Sequence, residues 1–124
     1  MGLATIIQLH HGIGNAAPLF MIGFGILSLI NYIRGQGVDG SIVGAVVIGE
    51  VMMIVQVVLG LILWLSGLFP ASIIHFLYGA LTVLALPALW VYTRGEMDRR
   101  ASLIWALAGL FMMGLALRAI GTAT

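Results

Sequence analysis

Three histidines, one carboxylate and one arginine are the side chains of this sequence whose chemistry stands out against their surroundings. His10 and His11 lie near the start of one long apolar stretch, and His75 opens another. His10 and His75 are each followed four residues later by a glycine, Gly14 and Gly79, which on a helix sits one turn away on the same face. Glu50 is the one acid inside an apolar stretch, with Gln56 six residues further on, and Arg118 lies near the end of the last stretch. Neutral imidazole can ligate a metal, a carboxyl group can pass or hold a proton, and a guanidinium can pair with a carboxylate. The absence of Cys removes disulfides, iron–sulfur ligation and thiol catalysis.

These residues must be positioned by elements that are not built for water. Of 124 residues, 62% are hydrophobic and 7% charged, against roughly 25% charged in a soluble domain. A bilayer core about 30 Å thick takes about 20 apolar residues per helical crossing, and the chain divides into four such stretches with short loops. The expected fold is therefore all-α: a single domain, 1–124, forming an integral membrane four-helix bundle. The expected crossings are about 16–33, preceded by a helical or interfacial lead-in from residue 3, then 41–66, 72–93 and 101–120. Gly-rich 34–40, the Pro70 turn at 67–71 and the charged segment 94–100 read as loops. The first basic residue is Arg34, so the N-terminus lacks the basic start of a secretory signal and is read as mature protein. A net charge of +1 with no Lys offers no basic face to nucleic acid, and that partner class is excluded.

Arg34, Arg94, Arg99 and Arg100 fall in the first and third loops, while the second loop and the N-terminal segment carry no Arg or Lys. The positive-inside rule then places both termini outside a bacterial cytoplasmic (inner) membrane that the chain crosses several times. Tyr32, Trp90 and Tyr92 precede the basic loops and Trp64 stands near the opposite end, as interfacial anchors do. The segments Asn31-Tyr32-Ile33-Arg34-Gly35 and Val91-Tyr92-Thr93-Arg94-Gly95 resemble one another, which suggests two tandem helical hairpins.

In such a bundle the first and third helices are parallel, so His10, His11 and His75 share the outer side. At 1.5 Å per residue His75 lies about 28 Å above Arg94 and His10 about 36 Å above Arg34, a mismatch of about 8 Å that tilt, or a break near Gly12, Gly14 and Pro18, would have to absorb. Two imidazoles facing each other at one depth suit a low-spin b-type haem, with Gly14 and Gly79 letting the macrocycle approach the backbone. His10 is preferred over His11 as partner of His75, because Gly14, Ala17, Met21 and Ser28 share its face and form a small-residue packing side. The same histidines also fit a structural role at a helix start and between helices. Glu50 lies about 14 Å into its helix, near the midplane, where an ionisable group is a functional candidate. It reads either as a hydrogen-bonding partner of Ser28 or a nearby carbonyl, or, with Gln56, as a proton-relay or quinone contact. Arg118 either meets a haem propionate or reaches to lipid phosphates. Met52, Met53, Met112 and Met113 read as apolar filling.

The pairs His10-x-x-x-Gly14 and His75-x-x-x-Gly79 in a four-crossing chain resemble the small membrane-embedded cytochromes b that hold haem between helical histidines. Members with two haems carry histidine pairs near both faces; none lies near the inner face here, so the resemblance implies one haem b. The chain also resembles a class of small bacterial four-helix membrane proteins, a likeness that carries no function. The leading expectation is a one-haem electron-transfer protein or subunit, with His10 and His75 as ligands and His11 as substitute, rather than an enzyme in its own right. The alternatives are an accessory subunit of a respiratory or photosynthetic complex, and a small proton-coupled transporter using Glu50. Expected partners are the bilayer and other membrane subunits or a second copy.

Overall fold

A computed structural model describes residues 2–124 and consists of four α-helices: α1 (Leu3–Ile33), α2 (Gly40–Leu65), α3 (Ile74–Thr93) and α4 (Arg99–Ala123). Each is long and apolar enough to cross a membrane. Their boundaries follow local chemistry. Asp39 caps α2 by accepting the Ile42 N–H at 3.0 Å, and Asp98 caps α4 by accepting the Ala101 N–H at 2.9 Å. After α1 and α3 the chain turns through Gly35 and Gly95, whose φ values of 73° and 67° lie in the left-handed region that glycine adopts freely.

The first crossing and the segment that leads into it form one helix. α1 stays helical through Gly12, Gly14 and Pro18 as one run of 31 residues. Pro18 removes only the N–H that would serve the Gly14 carbonyl, and the helix continues on both sides. α3 begins at Ile74, two residues later than expected, because the Ser72 hydroxyl accepts the Ile74 N–H at 3.2 Å and ends the preceding turn. α4 begins two residues earlier than expected and runs to Ala123.

The loops fix the topology. At one end the first and third loops interlock: Val38 N–H donates to the Met97 carbonyl at 3.1 Å, Arg99 Nε to the Tyr32 carbonyl at 2.8 Å, and the Ser102 hydroxyl to the Gln36 carbonyl at 3.0 Å. At the other end Ala71 and Ser72 donate to the carbonyls of Ala123 and Thr122 at 3.0 and 3.1 Å. The helices therefore alternate in direction, with α1 parallel to α3. Each packs on its chain neighbours and α1 on α4, closing a ring with α1 and α3 on one diagonal.

The tightest seam joins α1 to α4, where Gly25 faces Gly109. A Cβ on Gly109 would stand 2.5 Å from the Gly25 Cα, so only glycine allows the two backbones to meet. Small residues at a crossing are how helices associate in lipid, where apolar side chains gain little by leaving the solvent. Around this contact lies a core of Met21, Phe24, Ile42, Met53, Leu86, Trp105 and Met112. Outward faces of α2 and α3 carry exposed aliphatic residues such as Val47, Val51, Leu77 and Leu84, which suit contact with acyl chains.

Candidate functional site

His10 and His75 come together at the end of the bundle opposite the arginine-bearing loops. Their ring centroids are 6.4 Å apart with planes at 80°, and His11 lies 6.3 Å from His10 on its other side. α1 is unbroken, so the expected register difference is taken up by the relative offset or inclination of the two diagonal helices and not by a break. His10 and His75 are half-buried, whereas His11 is exposed.

The two imidazoles are held differently. His75 Nδ1 lies 2.7 Å from the Ala119 carbonyl and 3.3 Å from the Thr122 hydroxyl. A carbonyl can only accept, so Nδ1 carries the proton and donates it, leaving Nε2 of the neutral ring with a free lone pair. Thr122 in turn donates to the carbonyls of Arg118 and Ala119 at 2.9 and 3.1 Å, which leaves its oxygen to accept from His75. A ring N–H pinned to a backbone carbonyl is the usual outer support of a ligating histidine.

His10 is fixed through its backbone and the surface beneath its ring. Gln56 Nε2 donates to the His10 carbonyl at 2.7 Å. The ring rests on Gly60 of α2, where a Cβ would come within 3.1 Å of His10 Cε1, and Gly14 leaves room for the Gln56 amide, which would stand 2.9 Å from a Cβ there. Two buried polar atoms of this cluster, His10 Nδ1 and Gln56 Oε1, have no hydrogen-bond partner among the described residues. Such orphaned atoms are rare in folded proteins and call for an explanation in strain, function, or a bound water or ion.

The remaining candidates separate. Gly79 faces open space with nothing within 4 Å of a Cβ, while the space beside Gly14 is filled by Gln56. Arg118 lies at the histidine end, its Nε 3.4 Å from the Tyr78 hydroxyl and its guanidinium 5.7 Å from the Tyr78 ring centre. Glu50 does not join the histidines. It lines a groove between α2 and α3, and its Oε1 is buried without a partner among the described residues. Nor does it meet Ser28, whose hydroxyl donates to the Phe24 carbonyl of its own helix at 3.0 Å. Gln56 belongs with His10 and not with Glu50.

Gly60, Ala119 and Thr122 are the site residues that sequence reading misses. Gly60 follows Gln56 by one helical turn, so the pair marks one face of α2, a signal that could have been read. Ala119 contributes only a carbonyl, which no side-chain pattern can flag.

A single iron bound by two imidazoles through Fe–N bonds of about 2 Å has ligand ring centroids about 6 Å apart, close to the separation of His10 and His75. Among the described residues no group of three or more His, Cys, Asp or Glu side chains is placed to hold a bare metal ion. The nitrogen donors that meet at this end are the imidazoles of His10 and His75. No family model, curated protein or solved structure matches this chain.

Proposed function

We propose that this chain is a membrane-embedded electron-transfer protein or subunit that holds one haem b near one face of the bilayer, with His75 and His10 as axial ligands. The observation that carries the reading is the meeting of two imidazoles from diagonal, parallel helices at 6.4 Å, one of them held in the tautomer that frees Nε2. Haem bound there supplies a one-electron couple whose potential follows ligand orientation, burial and nearby charge.

The chain's own residues supply the setting. The Ala119 carbonyl and Thr122 hold the His75 ring in orientation, and Gln56 ties the His10 turn to α2. Gly79 leaves open space one turn along α3 from His75 for a flat macrocycle. Arg118 provides a cation at the same end to meet a carboxylate edge. The arginine distribution supports an orientation with this end and both termini outside a bacterial cytoplasmic membrane and the interlocked basic loops inside. Tags at the termini should then be accessible from outside and tags after Gly37 or Glu96 only from the cytoplasm; the reverse pattern would overturn the orientation.

The deciding experiment is an absorption spectrum of the protein purified from a haem-replete host, oxidised and then reduced. The expected result is the narrow reduced α-band of a six-coordinate b haem, abolished by His75→Ala and by His10→Ala but kept by His11→Ala. Loss with His11→Ala and retention with His10→Ala would exchange the second ligand. A colourless protein would end the haem reading and leave an accessory subunit of a larger membrane complex, with the histidines structural.

A further inference from the structure

Glu50 presents a problem that the histidine site does not answer. It stands about 15 Å along α2 from Gly40, near the middle of a hydrocarbon core about 30 Å thick. There it lines a groove of about 530 Å³ between α2 and α3, otherwise walled by apolar side chains including Val47 and Val51 of α2 and Leu86, Pro87 and Trp90 of α3. The volume falls within the range of about 300–1,000 Å³ found for small-molecule sites. The groove opens toward lipid, since Val47 and Val51 on its rim are exposed.

Among the described residues no group satisfies one oxygen of this carboxyl. That oxygen, Oε1, is buried, and the hydroxyls of Ser28 and Thr82 are engaged within their own helices, with the carbonyls of Phe24 and Gly79. The opposite wall is made by Leu86, Pro87, Trp90 and Val91. One carboxyl thus stands at an otherwise aliphatic and aromatic groove. An acyl chain brings nothing to it, because it carries no hydrogen-bonding group at this depth. A second copy would bring mainly the aliphatic outer faces of α2 and α3, such as Val51 and Leu84. The complementary occupant is a flat apolar ring that carries hydroxyl or carbonyl oxygens and moves within the membrane, and Trp90, partly exposed, offers it an aromatic surface.

We propose that the α2–α3 groove binds the ring of a membrane-soluble quinone or quinol, with a ring oxygen hydrogen-bonded to Glu50. This site stands on geometry separate from the histidines and is tested without reference to haem. The test is photolabelling of the chain in lipid nanodiscs with a short-tailed azidoquinone, with decylubiquinone as competitor and mapping of the labelled peptides. Saturable, competed labelling confined to segments containing Glu50 and Trp90 is expected. Glu50→Leu should lower it about tenfold, as loss of a hydrogen bond to a buried group does, whereas Glu50→Gln, which can still donate and accept, should keep most of it. Val47→Trp fills the groove from a residue 56% exposed, so it should block labelling while leaving the fold intact, which guards against a misfolded Glu50→Leu. Labelling that is spread over the outer faces of all four helices, or unmoved by Val47→Trp, would overturn the proposal. A Glu50-dependent dimer that excludes the label would overturn it too, by giving the groove to a second copy.

Discussion

The two ends of the bundle treat their polar groups in opposite ways. At the end bearing the basic loops, the amide of Asn31 donates to the Gly37 carbonyl at 3.0 Å and to Asp39 at 3.2 Å, Asp39 and Asp98 cap helices, Ser102 bonds across to Gln36, and Arg99 covers the Tyr32 ring at 4.1 Å. That end is closed by its own residues. At the histidine end, His10 Nδ1 and Gln56 Oε1 are buried and unanswered among the described residues. Polar groups that complete one another stabilise a fold, whereas buried polar groups left over within it call for an explanation in strain, in function, or in a bound water or ion.

Substitutions at the two ends should therefore fail differently, and four measurements sharpen or break the contrast, taken in order of their effect on stability. Gly37→Val is expected to be the most damaging, because any Cβ at Gly37 would run into the Met97 carbonyl of the facing loop. A loss of about 3 kcal/mol in detergent unfolding is expected, with the haem spectrum of the surviving folded fraction unchanged. Asn31→Leu removes the donor that ties the first loop to the α2 cap and leaves the Gly37 carbonyl short of a partner; about 1–3 kcal/mol should go, again without a spectral change. If either variant altered the α-band before it lowered the melting temperature, the two ends would not be independent.

Gln56→Leu reverses the pattern. It deletes one hydrogen bond but also one orphaned acceptor, so unfolding should shift by no more than about 1 kcal/mol. Haem affinity, by contrast, should fall about 10–100-fold, as it does when the outer support of a ligand is removed. Equal affinity in Gln56→Leu and the parent would show that the amide does not position His10.

The smallest effect is a pH dependence confined to the loop end. The Ile42 N–H and then the Asn31 amide hold the Asp39 carboxyl below the ordinary carboxylate range. A carboxyl lowered by folding adds stability that is present above its unfolded value of about 3.9 and disappears as the pH falls through its lower folded value. Stability should thus decline below about pH 4, and Asp39→Asn should flatten that part of the profile. Because Asp39 is fully exposed, the slope should also shrink in high salt.

How much of this was legible in the sequence depended on range. The four helices were readable because apolar length and Gly or Asp punctuation are local, and the ends moved by only a few residues where a side chain such as Ser72 intervened. That His10 and His75 share one end followed from topology alone, because with four crossings the first and third helices must be parallel; their meeting at one depth did not, since it needs the register difference to be taken up by offset or inclination. What escaped were choices of partner across space. Ser28 does not meet Glu50 but turns back to its own helix, an option open to any helical serine. The pairing of Val38 with Met97 and the use of the Ala119 carbonyl involve backbone groups that every residue possesses. No residue type advertises them.

The glycine contact between α1 and α4 has a consequence for how the protein is made. The first of these four helices to leave the ribosome finds its closest neighbour in the fourth, so Gly25 has no counterpart until Gly109 has been synthesised and has entered the membrane. Until then α1 can lean only on α2, and His75 lacks the Ala119 carbonyl that orients it. Biogenesis thus carries a built-in order: the histidine end matures last, after insertion of α4, and a nascent chain of three helices should be a poor acceptor of any prosthetic group however long it waits.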